Sequence, residues 1–336
     1  MTDISFPATS FRLVRDNLDA APPDALSGAV VALGNFDGVH RGHRAVISAA
    51  QARATALGKP AVAMTFEPHP RAFFNPEPPE FRLSSLGGKV RLLAATGLAG
   101  AIVMGFDKAL AALKPADFVS KVLVERYKVA GVAVGFDFQF GKGRAGTTEF
   151  LTNEGRRLGF SVDIAPPLLD GGERVSSGAV RSALTRGEVE IAWRLLGYPW
   201  FASGEVVRGD SRGRDLGFPT ANIRLDPDCR LRHGVYAVRV GVDGKRYDGV
   251  ANFGRRPMFD TGVVLLEAFL FDYKGDLYGK TLDVAFFAFL RPELKFRSTD
   301  DLVDRMNEDS KAARQILAGA GNAFPQLADP AVLTRG

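Results

Sequence analysis

Residues 30–43 read VVALGNFDGVHRGH. The apolar run from Val30 to Leu33 ends at Gly34, the glycines Gly34, Gly38 and Gly42 punctuate the segment up to His43, and His40 and His43 open a stretch with helical spacing. This pattern predicts a strand, a tight turn and a helix. Val46, Ile47, Ala50, Ala54 and Leu57 share one face at the 3.6-residue period, and Gly58 stands where a C-cap falls. The two imidazoles therefore share the first helical turn. Backbone N–H groups without intrahelical partners, together with the positive end of the helix dipole, favour phosphate oxygens there. Two other readings compete. A His-x-x-His pair is a zinc motif, but the chain has four histidines and one cysteine and no second cluster with ligand spacing. The pair also reads as two ordinary surface histidines after a glycine-rich turn.

At 336 residues, with 46% hydrophobic and 24% charged residues, the chain is long enough for two domains with proper cores. The start, MTDISFPATSFR, lacks the basic region and long apolar core of a signal peptide. No run of about 18 apolar residues occurs, so no membrane partner is expected and the location expected is cytoplasmic. The single cysteine, Cys229, excludes an intrachain disulfide and fits a reducing compartment. A net charge of +5 suits anionic ligands, but the basic residues are scattered, so nucleotides are favoured and nucleic acid is not implied.

The first two hundred residues alternate strand and helix. Strands are predicted at 61–66, 101–106, 129–136 and 160–165, and helices at 84–96, 115–127, 148–158, 178–184 and 189–196. Such alternation predicts an α/β domain with a doubly wound parallel sheet whose function lies at the carboxyl ends of the strands. Polar or glycine-rich loops succeed these strands: FEPHPRAFF, GFDKAL and GFDFQFGKGRAG. In the last, Gly141, Gly143 and Gly146 form a G-x-G-x-x-G with Asp163 downstream, the outline of a dinucleotide fingerprint. It comes after the fourth strand counted from that at 30–33, not after the first, and Lys142 and Arg144 bring cations better suited to anionic substrate groups than to a nicotinamide site. In VSSGAVRSAL, Ser176 and Ser177 stand at a helix N-cap with Arg181 on its first turns, which reads as a plain serine cap or as an anion site. His69, between Pro68 and Pro70, reads as a substrate contact or as part of a rigid turn.

Near Pro199 the rhythm changes to short β-rich segments with hairpin signals, at 234–242, 247–253, 263–271 and 281–290. These predict an antiparallel β-barrel or sandwich. A terminal helix over 299–317 carries Leu302, Met306, Ala313 and Leu317 on one face. The domains expected are 1–186, a helical linker over 187–199, the barrel over 200–318, and a loosely held tail over 319–336. GDSRGRDLGFPTANIRL joins a glycine-arginine loop to Thr220 and Asn222, whose oxygen-bearing side chains suit Mg²⁺ beside a nucleotide. GDLYGKT is not a P-loop, because Lys274 stands where its first glycine belongs and the segment runs into a strand. Glu267 is the only charge in VVLLEAFLF, and a carboxylate inside an apolar strand is costly unless it is paired, solvent-facing or functional.

These motifs carry a resemblance. GNFDGVHRGH is similar to the H-x-G-H signature of adenylyl-transferring nucleotidyltransferases, in the form found in the bacterial bifunctional riboflavin kinase/FAD synthetase family. VSSGAVR resembles that superfamily's S-S-x-x-x-R, and GFPTAN resembles the P-T-A-N motif of riboflavin kinases. ANFGRRPMF and LFDYKGDLYGK resemble that family's later segments. The resemblance covers nearly all of residues 25–317. It implies an FMN adenylyltransferase domain followed by a riboflavin kinase barrel, with riboflavin, FMN and ATP as substrates and Mg²⁺ as cofactor. It implies His40, His43 and Glu267 as catalytic residues, Glu267 as general base. Nucleotide contacts are implied for Gly34, Asn35, Phe36, Asp37, Gly38, Asp137, Ser176, Ser177, Arg181, Gly209, Arg214, Gly217, Pro219 and Thr220. His69, Pro70, Phe138 and Arg305 are implied for the flavin, and Thr220 and Asn222 for the metal. Met258, Phe269 and Arg305 depart from the family's usual threonine, histidine and glutamine. An NAD-dependent reductase and an RNA-binding barrel are the readings from other classes; the barrel lacks an interleaved aromatic and basic strand face.

Overall fold

The computed structural model describes residues 11–19, 21, 24–75, 77, 81–208, 218–255, 264–329, 331 and 333–335. The chain forms two compact units, one of residues 1–80, 86–175 and 326–336, the other of 81–85 and 176–325.

The first unit runs β1 (Phe11–Asp16), β2 (Val30–Leu33), α1 (Arg41–Leu57), β3 (Ala61–Glu67), α2 (Pro70–Phe74), α3 (Leu86–Ala94), β4 (Gly100–Gly105) and α4 (Lys108–Ala112). It continues with α5 (Pro115–Asp117), which runs on as a π-helix over Phe118–Arg126, then β5 (Gly131–Gly135), α6 (Thr148–Leu158), β6 (Ser161–Ala165) and a small hairpin of β7 (Leu169–Asp170) and β8 (Glu173–Arg174). Strand order in its seven-stranded sheet is C-terminal strand (Leu333–Arg335), β1, β4, β3, β2, β5, β6. Every neighbouring pair is parallel. Continuous apolar runs suit strands buried on both faces, and Val30, Val31, Ala32, Val62, Ala63 and Met64 have no exposed surface. From β2 the chain winds through β3 and β4 to one side and through β5 and β6 to the other. The crevice between the carboxyl ends of β2 and β5 is therefore the topological switch point. Gly58 caps α1 in the left-handed conformation (φ 61°), as its position predicted.

A buried ion pair anchors β1. Arg126 donates from Nε and Nη2 to Asp16 at 2.7 and 2.6 Å and also holds the Asn17 carbonyl at 2.8 Å. The Tyr127 hydroxyl donates to the same carboxylate, and burial followed by that hydrogen bond pushes the phenol pKa upward.

The second unit holds α7 (Ser177–Arg186), α8 (Val189–Leu196), β9 (Phe201–Val207), β10 (Thr220–Arg224), β11 (Gly234–Val242), β12 (Lys245–Arg255), β13 (Val264–Leu270), β14 (Thr281–Arg291) and α9 (Thr299–Gly319). The strands close into an antiparallel barrel in the order β10, β13, β12, β11, β14, β9. This resolves the sandwich-or-barrel alternative. On β13, Val264, Leu266, Ala268 and Leu270 are buried and alternate with half-buried Leu265, Glu267 and Phe269. Packing groups α7 and α8 with the barrel: the Leu184 carbonyl accepts from Arg232 N–H at 3.1 Å, and the Trp193 ring meets Phe287 edge-on at 5.4 Å. Trp200 Nε1 donates to the Leu83 carbonyl at 2.9 Å, which ties residues 81–85 to the same unit.

α9 is fixed by Arg291, whose guanidinium meets Asp309 through Nε at 3.0 Å and Nη2 at 2.8 Å with both side chains buried. Removing one partner leaves an uncompensated buried charge, so Asp309→Ala is expected to lower unfolding free energy by about 3–5 kcal/mol. A denaturant titration with a loss below about 1 kcal/mol would place this pair among inconsequential surface bridges. The segment after Gly319, whose composition suggested a loose tail, makes definite contacts in each unit. Within the barrel unit, Arg246 lies over the Phe324 ring at 4.9 Å. Within the sheet unit, Ala328 exchanges hydrogen bonds with Arg91 and the C-terminal strand pairs with β1.

Candidate active sites

The stretch at 34–43 folds as a tight inward turn. Phe36, Gly38 and Val39 adopt positive φ (50°, 77° and 38°), and Asp37 and His40 are 4% and 6% exposed. A non-glycine residue at positive φ stores strain that persists where the surroundings fix it, commonly at functional sites. Thr65 Oγ1 donates to the Asn35 carbonyl at 2.9 Å, and the fully buried Lys89 ammonium lies 3.4 Å from that hydroxyl. In the sequence Lys89 reads as one more helix lysine. His40 is the N-cap of α1: its Nδ1 accepts from His43 N–H at 3.2 Å. In the neutral ring that bond places the proton on Nε2. The rings of His40 and His43 stack at 3.6 Å, and Phe36 meets His43 edge-on at 5.3 Å. Gly42 is tightly placed: a Cβ there would stand 3.1 Å from the His40 ring and 3.3 Å from the Val175 carbonyl, so those neighbours would have to give by a few tenths of an ångström.

The other residues expected near this site in the first unit lie on loops at the same end of the sheet. His69, after β3, caps α2 by accepting from Arg71 N–H at 3.3 Å, with Pro70 as its first residue. Phe73 and Phe74 on α2 pack edge-on against Phe106, the residue after β4. Asp137, after β5, pairs with Arg174 of β8 at 2.6 Å, and Arg174 also covers the Phe136 ring. Phe138 stacks on Phe140 at 5.6 Å. A second ion pair, Arg41 with Asp170 at 3.4 Å, ties the same hairpin to the start of α1. In the sequence the hairpin's signal is the turn in LDGGER, too short for any strand periodicity. The dinucleotide outline fails here, because Asp163 sits inside β6 and is held by Arg53 of α1 through two hydrogen bonds of 2.9 and 2.8 Å.

Ser176, Ser177 and Arg181 belong to the second unit. Ser176 caps α7 by accepting from Ala179 N–H at 3.2 Å, and Arg181 Nε donates to the Phe81 carbonyl at 2.6 Å. At least part of this arginine therefore secures residues 81–85.

In the barrel, Pro219 is exposed and Thr220 opens β10. Asn222 on β10 pairs directly with Glu267 on β13. Phe269 lies edge-on between Phe218 at 5.1 Å and Phe271 at 5.7 Å, an apolar packing role for this departure from the family pattern. Asp272 is turned away to Arg314 at 3.1 Å. Arg305 is bound within α9 to Glu308 at 2.7 Å and lies 3.5 Å from Asp309. Gly209, Arg214, Gly217 and Met258 lie outside the described residues. Among the described residues no cluster of three or more His, Cys, Asp or Glu side chains could hold a metal, and no helix is long and apolar enough to cross a membrane.

A doubly wound sheet with a histidine-capped helix start at its switch point, and a closed barrel with a glutamate beside an asparagine, define the class as a nucleotide-using transferase with two catalytic folds. Comparisons with known proteins agree. Residues 23–179 match the family model described as FAD synthetase, and residues 196–317 that described as riboflavin kinase. Over 292 residues the chain is 41% identical to the bifunctional riboflavin kinase/FMN adenylyltransferase of Pseudomonas fluorescens, covering 87% of this chain and 94% of that protein. It is 40% identical to the Escherichia coli K12 protein of the same name over 301 residues, covering 89% and 95%. A crystal structure described as a macrolide-efflux protein from Streptococcus pneumoniae superposes with a TM-score of 0.80 at 31% identity, covering 89% of this chain and 98% of that one. The chain belongs to the bifunctional riboflavin kinase/FMN adenylyltransferase family.

Proposed function

We propose that the barrel transfers the γ-phosphoryl of ATP to the riboflavin 5′-hydroxyl, and that the sheet domain transfers AMP from a second ATP to FMN, giving FAD and pyrophosphate. The observation that carries this reading is that the two family matches fall separately on the parallel sheet and on the closed barrel. Neither reaction needs a covalent enzyme intermediate, so each site aligns reactants and holds spreading negative charge. At the adenylyl site, His40 and His43 donate to the α-phosphate and the departing pyrophosphate. The turn 34–38 and Asp137 hold the nucleotide, and His69, Pro70 and Phe138 hold the flavin. Ser176, Ser177 and Arg181 keep their nucleotide role on the family motif alone. At the kinase site, Glu267 accepts the proton of the attacking hydroxyl, and Gly209, Arg214, Gly217, Pro219 and Thr220 hold the nucleotide. Arg305 is assigned to the flavin. Mg²⁺ fits the oxygen donors of Thr220 and Asn222, and when bound it neutralises charge on the ATP phosphates. The Asn222 carboxamide oxygen supports this, being buried without a hydrogen-bond partner among the described residues. ATP as co-substrate and the lone reduced cysteine suit a cytoplasmic enzyme.

Two experiments test the division of labour. The full chain given FMN, ATP and Mg²⁺ is expected to release FAD and pyrophosphate in equal amounts; consumption of ATP without FAD would refute the adenylyl half. A fragment of residues 176–325 is expected to fold and phosphorylate riboflavin without making FAD. It lacks the Leu83 carbonyl that satisfies Trp200, so its stability falls by about 1–3 kcal/mol relative to the same unit in the full chain. A fragment starting at Gly197 also loses Trp193 from Phe287 and melts lower still. A folded 176–325 fragment without kinase activity would show that the barrel site is completed elsewhere in the chain.

A further inference from the structure

Three polar side chains form one row across the outer face of the barrel. Glu267 on β13 is paired directly with Asn222 on β10 and, on its other side, with Asn252 on β12. Directly opposed residues hold their Cβ atoms about 4.5–5.5 Å apart, so the carboxylate stands between two carboxamides. The neighbours that point the other way, Ala251, Phe253, Leu266 and Ala268, are fully buried in the barrel interior. Both carboxamide oxygens in the row are buried, and among the described residues neither has a hydrogen-bond partner. Buried acceptors are nearly always paired, and an unpaired one marks a strain reservoir, a functional group or a site for something bound. Asn222 has a proposed task on the phosphate side. The family motifs give Asn252 none.

We propose that Asn252 holds the acceptor alcohol: its Oδ1 accepts a hydrogen bond from a hydroxyl of the flavin's polyol chain and so places the 5′-oxygen against Glu267. This rests on the kinase reading of the barrel. In phosphoryl transfer the attacking and leaving oxygens lie roughly in line on opposite sides of the phosphorus. A base that serves the attacking oxygen therefore stands beside it, flanking the line from that oxygen to the phosphorus, with the phosphate groups to one side of the base and the alcohol chain to the other. Thr220 and Asn222 occupy one side of Glu267, which leaves Asn252 the alcohol side. A carboxamide suits that place. Its oxygen accepts from a hydroxyl without competing for the proton that Glu267 takes, and it adds no like charge directly opposite the carboxylate.

The test uses the full-length chain and its Asn252→Ala and Asn252→Ser variants. Riboflavin phosphorylation is measured with riboflavin and with analogues lacking one polyol hydroxyl each, alongside ligand-free thermal midpoints. The KM for riboflavin is expected to rise roughly tenfold or more in Asn252→Ala, with the KM for ATP kept within about twofold. The preference of the wild-type chain for riboflavin over one particular deoxy analogue should vanish in the variant. The midpoint should change little, because the carboxamide oxygen that is removed has no partner among the described residues to lose. FAD formation from supplied FMN should be unchanged. An unchanged riboflavin KM and analogue preference overturns the proposal. So does a selective rise in the KM for ATP, which would put Asn252 on the phosphate side. A failure of both variants to fold also overturns it, since it would make Asn252 structural. A wild-type chain that leaves riboflavin unphosphorylated refutes the kinase reading itself, an outcome distinct from an active wild type whose variant handles riboflavin normally.

Discussion

Glu267→Gln is expected to lose on the order of 10²- to 10⁴-fold in FMN formation while keeping the fold and ATP binding. Glutamine is nearly isosteric with glutamate but cannot take the proton of the 5′-hydroxyl as it attacks. Position supports the assignment. β13 puts every second residue into the barrel interior, and Glu267 falls on the other face, half-buried and in direct register with Asn222. The bland alternatives for a charge in an apolar strand were solvent exposure or a backbone bond; the first accounts for the alternation but not for the two carboxamides beside it. Asp272, the nearby carboxylate that competes for the role, is committed to Arg314. Asp260, the other competitor, lies outside the described residues. FAD synthesis from supplied FMN should continue normally in the variant. Wild-type phosphorylation by Glu267→Gln would remove Glu267 from the chemistry and make Asp260 and Asp272 the next residues to substitute.

His43→Ala is expected to lower FAD formation roughly a hundredfold or more, the value of one preorganised donor aimed at developing charge. The preorganisation is visible: His40 caps the helix through Nδ1, and His43 is held between the stacked His40 ring and the edge of Phe36. In the proposed mechanism these contacts would spare the rings any reorganisation as charge moves onto the departing pyrophosphate. Riboflavin phosphorylation by the same preparation is the internal control, because it reports the other unit. Loss of both activities would indicate misfolding, and an undiminished rate of FAD synthesis would take the histidine out of the mechanism.

The elements easiest to read from sequence were those with long, single-minded patterns. The helix 148–158, with Thr147 capping and Gly159 closing it, and the strand 234–242 match their predicted limits. Elements whose residues serve two purposes were harder. β1, FRLVRD, is hard to read as a strand, because Arg12, Arg15 and Asp16 interrupt the apolar signal on a strand that lies next to the sheet's edge. The three-residue strand at Leu333–Arg335 is too short for any periodicity. β10 was visible only as the motif TANIR, since threonine and asparagine read as ligands before they read as strand. The pattern over 115–127 reads as a regular helix, yet from Phe118 it is π-helical, a register change that leaves no mark in composition. The adenylyl turn was legible because its chemistry is local, within Gly34–His43. The row Asn222, Glu267, Asn252 was not, because it exists only through the pairing of strands far apart in sequence.

Incubating the purified chain with riboflavin, ATP and Mg²⁺, and separating the flavins over time, tests the assignment of two successive transfers most directly. FMN is expected to appear first and FAD to accumulate at its expense, with ADP and pyrophosphate as the co-products. Riboflavin that remains unconverted, together with supplied FMN that is not adenylylated, would contradict it.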